Sequence, residues 1–294
     1  DSSAVQDQLE DVRQIQASTR AFAAIRGDGS VVTWGHSGAG GDSHQVREQL
    51  KDVTHIQASG NTFGSAFAGL RADGSVVAWG EAASGGDCRN VEADLKGVRC
   101  ICASSRAFSA VRGSSATRGA FAALLQDGSV VTWGDPNLGG DSSGVQHQLR
   151  SVFAIQATES GAFAAVVRDG SVVTWGHPDN GGDCSAVQGF LQDVLCIQKS
   201  ACAFAAIRAD GSVVTWGDPL YGGDSRAAQA QLKKVRQIQA SDAAFAALLE
   251  SGRVVCWGHP AHVGDGSWGD LEEVQQIQSA AMGAFAAVMG DGSL

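Results

Sequence analysis

Six side chains of metal-ligand type occupy equivalent places in this sequence, each directly after a Trp-Gly pair. They are His36, Glu81, Asp135, His177, Asp218 and His259. Imidazole and carboxylate groups hold a metal ion when three or four of them converge on it. Equivalent atoms of stacked β-sheets, however, lie about 10 Å apart, much farther than a metal–ligand bond. We therefore predict no metal site here and expect the Asp-Pro and His-Pro pairs to begin turns.

Cysteines could supply a second kind of chemistry. Cys88 and Cys100 occupy the same two places in one repeat as Cys184 and Cys196 in another, and the remaining repeats have neither member of the pair. Paired occurrence suggests contact, so we expect two local disulfides or at least close thiols. The alternative is a set of buried, unpaired thiols in a reducing compartment.

The sequence shows no recognisable catalytic constellation. It contains no nucleophile–base–orienter set, no phosphate-binding glycine loop and no His-Glu metal pattern. Its many glycines recur at fixed places in the repeat, which is typical of turns. We therefore expect a protein that is not an enzyme and uses no cofactor.

All of these residues are positioned by a repeat of about 41 residues. Each copy has a Val-x-x-Ile segment, an Ala-Phe-Ala-Ala segment, an Asp-Gly pair and a Val-Val-x-Trp-Gly segment. Asp-Gly between two apolar runs predicts a hairpin with a type I′ turn, in which both central residues have positive φ. Repeats of this length that contain several strands indicate a β-propeller or a solenoid. The seven copies span residues 1–41, 42–86, 87–140, 141–182, 183–223, 224–264 and 265–294, and the seventh has no final strand.

A polar segment joins each copy to the next. In the segment 141–149, apolar residues at Val145 and Leu149 follow Asp141 and Ser142, a pattern that predicts one or two capped helical turns. Each copy has three clear strands, whereas a propeller blade normally has four. We expect the fourth strand to be short or replaced, and the whole of 1–294 to form one domain.

The order of these segments resembles the repeats of the regulator-of-chromosome-condensation family over nearly the whole chain. The resemblance implies an all-β fold, a seven-bladed β-propeller with short helical turns between blades. The family usually has Gly-x-x-His before the second strand, whereas this chain has Ser18-Thr19-Arg20 or Ser241-Asp242-Ala243 there. This departure leaves the fold expectation intact but does not support an inherited activity. Guanine-nucleotide exchange on a small GTPase, which the resemblance also implies, stays an alternative.

The charge of the chain bears on its partners. The formal net charge is -10, with 21 Lys and Arg against 31 Asp and Glu, and many of the aspartates fall at turns. An acidic chain without a basic stripe is a poor match to phosphate backbones, so we expect no nucleic-acid partner. No apolar run reaches 18 residues, so we expect no direct membrane span. The compartment is left open.

Two loops of each copy are predicted to lie at the same end of its sheet, one before the second strand and one after the tryptophan. The first loop is lengthened in the second and third copies, which should be neighbours, so the insertions should meet as one patch. Arginine and aromatic residues are favoured interface anchors. The candidate partner-binding residues in these insertions are Asn61, Phe63, Arg106, Arg112 and Arg118. The alternative is a slipped duplication, because 107–113 imitates the Ala-Phe-Ala-Ala segment.

In the second loop, the candidate partner-binding residues are Leu138, Leu220, Tyr221 and His262. The sequence thus predicts a non-catalytic protein-interaction scaffold or accessory subunit of a larger assembly, as a monomeric ring or in a hetero-complex. Besides the exchange factor, a second alternative is a propeller domain of a longer multidomain protein such as a ubiquitin ligase. In that case the incomplete seventh copy would offer a strand edge for pairing.

Overall fold

A computed structural model describes residues 1–61, 64–105, 119–263, 271–280, 283–290 and 293. The chain forms two compact units, Asp1–Ile155 and Gln156–Leu294. Their regular structure is almost entirely β, interrupted only by short 3-10 turns. None of the helices in the described residues is long and apolar enough to cross a lipid bilayer.

The strands form seven antiparallel sheets, one for each sequence copy. In the first unit they are sheet 1, with β1 (Val12–Ala17), β2 (Ala21–Arg26) and β3 (Val31–Gly35), sheet 2, with β4 (Val53–Asn61), β5 (Gly64–Arg71) and β6 (Val76–Gly80), and sheet 3, with β7 (Val98–Ser105), β8 (Gly119–Leu125) and β9 (Val130–Gly134). Sheet 4 consists of β10 (Val152–Ala157), β11 (Ala162–Val167) and β12 (Val172–Gly176), and the boundary between the units falls within β10.

The second unit contains the remaining sheets. They are sheet 5, with β13 (Val194–Lys199), β14 (Ala203–Arg208) and β15 (Val213–Gly217), sheet 6, with β16 (Val235–Ala240), β17 (Ala244–Leu249) and β18 (Val254–Gly258), and sheet 7, with β19 (Val274–Ala280) and β20 (Ala284–Met289). This nearly all-β architecture of seven successive antiparallel sheets is that of the expected seven-bladed β-propeller class.

The hairpin between the second and third strands closes on the Asp-Gly-Ser segment, as predicted, but the turn type differs. In sheet 3 the amide of Gly128 donates to the Leu125 carbonyl at 3.1 Å. Gly128 has a φ of 82°, whereas Asp127 is not among the residues with positive φ. The turn is therefore a type I turn followed by a left-handed glycine, not type I′. The Asp127 carboxylate accounts for the difference, because it accepts hydrogen bonds from the backbone and hydroxyl of Ser129 at 2.8 and 2.6 Å.

Within each unit, consecutive sheets pack face to face through a repeated aromatic pair. Phe121 stacks on Trp133 with ring centroids 5.1 Å apart, and both side chains are buried against small residues of sheet 2 such as Ala68. The Trp133 indole donates to the carbonyl of Gly85 at 3.0 Å. A side chain on Gly85 would meet the Phe121 ring at 2.6 Å, so this contact requires glycine. The repeated tryptophans are thus packing residues.

Sheet 1 differs from sheets 2 to 6 on its aromatic face. Phe22 is 41 % exposed and Ile15 is 56 % exposed. Their equivalents in sheet 2, Phe67 and Ile56, are fully buried. The same sequence pattern therefore covers both a buried and an open face, and the difference lies in packing rather than in the residues.

The segments that join the copies form 3-10 helices or hydrogen-bonded turns rather than α-helical turns. In 141–149 the amide of Val145 donates to the Ser142 carbonyl at 3.0 Å, and that of Leu149 to the Gln146 carbonyl at 3.2 Å. Both bonds link residues three apart, the 3-10 pattern. The Leu149 side chain is buried, so the segment is anchored by its apolar residue as the spacing predicted.

Candidate interaction surface

The two variable loops of a sheet lie at the same end, which we call the loop end; the Asp-Gly-Ser hairpins lie at the other, the turn end. A serine at the end of the first strand or in the first loop donates to a carbonyl of the second loop and ties the two together. Ser104 donates to the carbonyl of Leu138 at 3.0 Å, and Ser200 to that of Tyr221 at 2.8 Å. The loops therefore form one connected surface on each of these sheets.

Sheets 2 and 3 carry longer first hairpins than the other sheets. Strand β4 has nine residues and its pairing with β5 continues to Asn61 opposite Gly64. Strand β7 has eight residues and its pairing with β8 continues to Ser105 opposite Gly119. In sheet 5, by comparison, the pairing of β13 with β14 ends at Lys199. The insertions therefore begin as extensions of rigid, hydrogen-bonded hairpins.

The bases of these two hairpins are in direct contact. A side chain built at Gly119 would lie 2.7 Å from the amide nitrogen of Gly60 and 3.1 Å from the Ser59 side chain. Such an approach is open only to glycine, which has no Cβ. The two lengthened loops thus start from neighbouring points on one side of the first unit. We use the name double hairpin for the segments 58–66 and 103–120, of which the structure describes the paired bases, 58–61 with 64–66 and 103–105 with 119–120.

Five of the sequence-predicted site residues concern this surface. Phe63, Arg106, Arg112 and Arg118 lie outside the described residues, as does the side chain of Asn61. Their roles as anchors stay predictions. The described bases of both insertions, however, bring the two segments that carry them to adjacent positions.

The candidate residues of the second loop differ in how far they are buried. Leu220 is 64 % exposed, and its amide is held by the Asp218 carboxylate at 2.9 Å. Tyr221 is half-buried, and burial raises the pKa of its phenol. Leu138, in contrast, is only 5 % exposed, because its side chain turns into the protein interior. The structure thus gives Leu138 a packing role and leaves Leu220 open to a partner.

His262 lies beside another histidine. Its ring meets that of His259 edge-on, with centroids 5.5 Å apart. The Nδ1 atom of His262 is buried and accepts or donates no hydrogen bond within the described residues. The side chain as a whole is half-buried, so its edge is partly open at the loop end.

The pairs Asp135-Pro136, His177-Pro178 and Asp218-Pro219 begin 3-10 turns, as predicted, and some of the side chains after Trp-Gly also bond within the following turn. Asp135 accepts a hydrogen bond from the amide of Asn137 at 2.9 Å, and Glu81 accepts one from the Ser84 hydroxyl at 2.8 Å. Among the described residues, no three His, Cys, Asp or Glu side chains converge on a metal-sized space.

In the second unit the first loops form a charged rim that the sequence did not reveal. The amide of Ser160 donates to the Ala201 carbonyl at 3.0 Å, and the amide of Ala201 donates to the Asp242 carbonyl at 2.8 Å. This chain of bonds brings Glu159 within 3.5 Å of the Lys199 ammonium group. Burial, and then the nearby Glu159 charge, raise the pKa of Asp242. The sequence did not point to Glu159, Lys199 and Asp242 because each is a single charge at a place where the copies differ in sequence.

The seven cysteines are free thiols, so neither predicted disulfide is formed in this structure. The reason is that the two members of each pair attach to different sheets. Cys184 accepts a hydrogen bond from Thr174 of sheet 4 at 3.2 Å, whereas Cys196 lies on β13 of sheet 5. Cys100 instead lies two residues from Cys102 on β7. The hydrogen bond from Cys102, followed by the charge of Arg99, lowers the pKa of Cys100 to about 6.

Comparison with known proteins assigns this chain neither a family nor a function. No family model and no curated protein sequence matches the chain. Among solved structures, Prp20p from Saccharomyces cerevisiae is similar at a TM-score of 0.44 and 15% identity, over 90% of this chain and 76% of that one. Human WBSCR16 is similar at 0.41 and 14% identity, over 90% and 84% of the two chains. The CRINKLY WD40 ectodomain of the Arabidopsis thaliana receptor kinase ACR4 is similar at 0.39 and 16% identity, over 84% and 80%. Scores and identities at this level assign no activity and no partner.

Proposed function

We propose that this chain is a non-catalytic protein-interaction module that binds its partner at the loop end of the sheets. The double hairpin is its main contact. The observation that supports this most is the backbone contact between Gly60 and Gly119, which places two lengthened loops side by side on the first unit. Two adjacent insertions offer a partner more residues to contact than one insertion would.

The physical support comes from rigidity. Binding residues are most often found on loops held by a rigid scaffold. Here the hydrogen-bonded strand pairs of sheets 2 and 3 continue up to the insertions. The hydroxyl of Ser104 also bonds to the neighbouring second loop. A pre-ordered surface loses little conformational entropy on binding, which favours affinity. The insertions carry Phe63, Arg106 and Arg112, residue types that frequently anchor protein interfaces.

The exposed Leu220 supports a further contact at the loop end of sheet 5. An exposed leucine by itself is common on protein surfaces. Leu220, however, is held in place by the Asp218 carboxylate and by a left-handed Gly222 with a φ of 91°. A fixed apolar side chain at the loop end is suited to a partner's apolar pocket.

The test is affinity capture from the native source with three forms of the chain. The first is the unmodified protein, and the second carries Phe63→Ala, Arg106→Ala and Arg112→Ala. The third is a control that carries Ala72→Ser and Gln126→Ala, which change exposed residues at the turn end of the same two sheets. We expect the partner to be retained by the first and third forms and reduced at least tenfold with the second. Equal retention by all three would refute the assignment.

The capture also separates this function from guanine-nucleotide exchange. If the retained partner is a small GTPase, its rate of nucleotide release should be unchanged by a stoichiometric excess of this chain. Accelerated nucleotide release would show that the chain is an exchange factor and not a non-catalytic interaction module.

A further inference from the structure

The outer strands of sheets 3, 4 and 5 are each closed by a glutamine from the segment that follows the sheet. The amide group of this glutamine donates to the first carbonyl of the outer strand. The three bonds are Gln146 to Val130, Gln188 to Val172 and Gln229 to Val213, at 2.9, 3.2 and 3.0 Å. We call this arrangement the glutamine clasp. It occupies the edge where a fourth blade strand would pair.

The clasp is held in place from behind. In sheet 3 the hydroxyl of Ser142 donates to the side-chain oxygen of Gln146 at 2.8 Å and lies 3.0 Å from the Thr132 hydroxyl. In sheet 4 a cysteine takes the same place, and Cys184 donates to Gln188 at 2.8 Å. The glutamine is thus oriented by its neighbour before it reaches the strand.

Sheet 1 has the supporting residues but no clasp. Thr33 and Ser43 lie 2.9 Å apart, as the matching pair does in sheet 3. Arg47, however, stands at the place of Gln146, and within the described residues its guanidinium has no hydrogen-bond or ion-pair partner. The Val31 carbonyl, which matches the clasped Val130 carbonyl, likewise has no partner there.

The backbone of β3 presents its free groups outward. The amides of Arg26 and His36 bond to the carbonyls of Ser30 and Arg20 at 2.9 Å, which assigns the even-numbered residues of β3 to the pairing with β2. Because antiparallel pairing alternates, the N–H and C=O groups of Val31 and Thr33 point away from β2. An outer edge of this kind is a template for another strand.

These groups border an open groove of about 380 Å³. In its lining, the Lys51 ammonium group lies 2.9 Å from Glu48, and the Nδ1 atom of His44 lies 2.9 Å from the Asp42 carboxylate. Arg47 forms no salt bridge in the described part of the chain, and it acts on the pKa of Glu48 less strongly than Lys51, which holds that carboxylate by a hydrogen bond. The groove therefore offers backbone pairing along its floor and one positive charge at its side.

We propose that the outer edge of β3 is a docking site for an extended peptide segment with an acidic side chain. The segment pairs with β3 as its fourth strand. Its amide donates to the Val31 carbonyl, its carbonyl accepts from the Thr33 amide, and its carboxylate binds the Arg47 guanidinium. Strand addition supplies affinity through backbone bonds, and the side-chain contact supplies selectivity. An Arg–carboxylate pair is well suited to the second task.

The charge at this place distinguishes sheet 1 from sheet 2. Glu92 occupies the corresponding position in sheet 2, beside another groove of about 380 Å³ that is floored by β6. A carboxylate there repels an acidic segment. The proposed ligand is therefore specific to β3, and the two edges are not interchangeable.

The test uses a fluorescent heptapeptide of alternating threonine and valine with a central glutamate, followed by fluorescence anisotropy. All protein forms carry Glu92→Gln, so that β6 does not contribute. The parent should bind one peptide per chain, and Arg47→Gln, which installs the clasp, should weaken binding at least tenfold. A peptide with central glutamine should bind at least fivefold more weakly, and one with N-methylated flanking amides should not bind. The converse substitution, Gln146→Arg, should open sheet 3 and raise the stoichiometry to two.

Failure to bind the glutamate peptide, equal binding by Arg47→Gln, or binding of the N-methylated peptide would each overturn the proposal. The site is independent of the double hairpin. The Phe63, Arg106 and Arg112 variant should bind the peptide like its parent, so loss of partner capture and loss of peptide binding are separate outcomes.

Discussion

The turn end and the loop end of the sheets are built by opposite rules. At the turn end, five aspartates accept hydrogen bonds from a serine amide at 2.8 to 2.9 Å and from its hydroxyl at 2.5 to 2.6 Å. At the loop end, sheets 2 and 3 carry the double hairpin, while sheets 4 to 6 carry a charged rim. Uniform chemistry serves folding, whereas unequal chemistry leaves room for recognition. The following predictions test this separation.

The largest effect is expected from a turn-end glycine. Gly170 has a φ of 83°, and a side chain there would lie 2.8 Å from the Cα of Asp193. We expect Gly170→Ala to lower the free energy of unfolding by about 2–3 kcal/mol, because it adds both backbone strain and a clash. The measurement is urea unfolding followed by tryptophan fluorescence.

The matched control is Gly189→Ala. Gly189 has no positive φ, and nothing lies within 4 Å of a side chain built there. This variant should be as stable as the parent or slightly more stable. If both glycine variants lost the same stability, the turn end would not require glycine at position 170. Partner capture by the folded fraction of each should be unchanged.

A smaller effect is expected where a serine ties the two loops of one sheet. Ser200 is buried, donates to the Tyr221 carbonyl at 2.8 Å and accepts from the Ala203 amide at 3.1 Å. Ser200→Ala should lower the free energy of unfolding by about 1–2 kcal/mol, because the buried carbonyl and amide lose their partner. Hydrogen exchange of the amide of Tyr221 should become faster.

Ser37→Ala is the control for this change, because Ser37 is exposed and its hydroxyl has no hydrogen-bond partner within the described residues. It should alter neither stability nor exchange. Unchanged exchange at Tyr221 in Ser200→Ala would show that the loops are not coupled through this serine.

The aspartates of the turn end predict a stability loss in acid. Hydrogen bonds from Ser129 hold the pKa of Asp127 below its ordinary value of 3.8. A lowered pKa in the folded state stabilises the protein above pH 3.8, and this contribution is lost as the pH falls through the folded-state pKa. Asp127→Asn should therefore be less stable than the parent at pH 6, because a neutral acceptor bonds more weakly.

The difference between these two proteins should shrink as the pH is lowered below 3.8. Urea midpoints measured at intervals between pH 6 and acid conditions give the comparison. A difference that stayed constant across this range would mean that the charge of Asp127 contributes nothing.

The smallest effect concerns two equivalent thiols, Cys100 and Cys196. They lie on the first strands of sheets 3 and 5, away from both the loop end and the turn end. The pKa of Cys100 is lowered to about 6 by the hydrogen bond from Cys102 and the nearby Arg99, whereas partial desolvation raises the pKa of Cys196, although Cys196 is the more exposed of the two side chains. At pH 7, Cys100 should thus be alkylated by iodoacetamide before Cys196, because the thiolate is the reactive form.

The Cys100 rate should be half-maximal near pH 6. Cys102→Ala should shift this midpoint upward without altering unfolding. An alkylation rate for Cys100 that rose only above pH 8 would contradict the effect of its neighbours.

Much of the fold was predictable because the same strand and turn pattern recurs in successive copies of the repeat. The Asp-Gly pairs predicted the hairpins, and consecutive order predicted that sheets 2 and 3 are neighbours. The turn type was missed because Asp127 bonds Ser129 through its carboxylate, a contact that Asn or Gly could not make in the same way. The clasp that replaces a fourth strand was missed because a single glutamine in a polar segment carries no periodic signal.

The site was less predictable, for reasons of burial and distance. Leu138 and Tyr221 hold the same loop position, yet Leu138 is buried whereas Tyr221 is only half-buried. The cysteine pairs share their spacing in sequence but attach to different sheets, so spacing alone could not decide their contact. What sequence did show is where copies differ in length, and that is where the structure places the double hairpin.

The central claim is tested most directly by hydrogen–deuterium exchange of the chain with and without its captured partner. We expect amides of 58–66 and 103–120 to exchange at least fivefold more slowly in the complex, and those of the turn-end segment 126–129 to be unchanged. Protection confined to the turn end, or none in the double hairpin, would contradict the account.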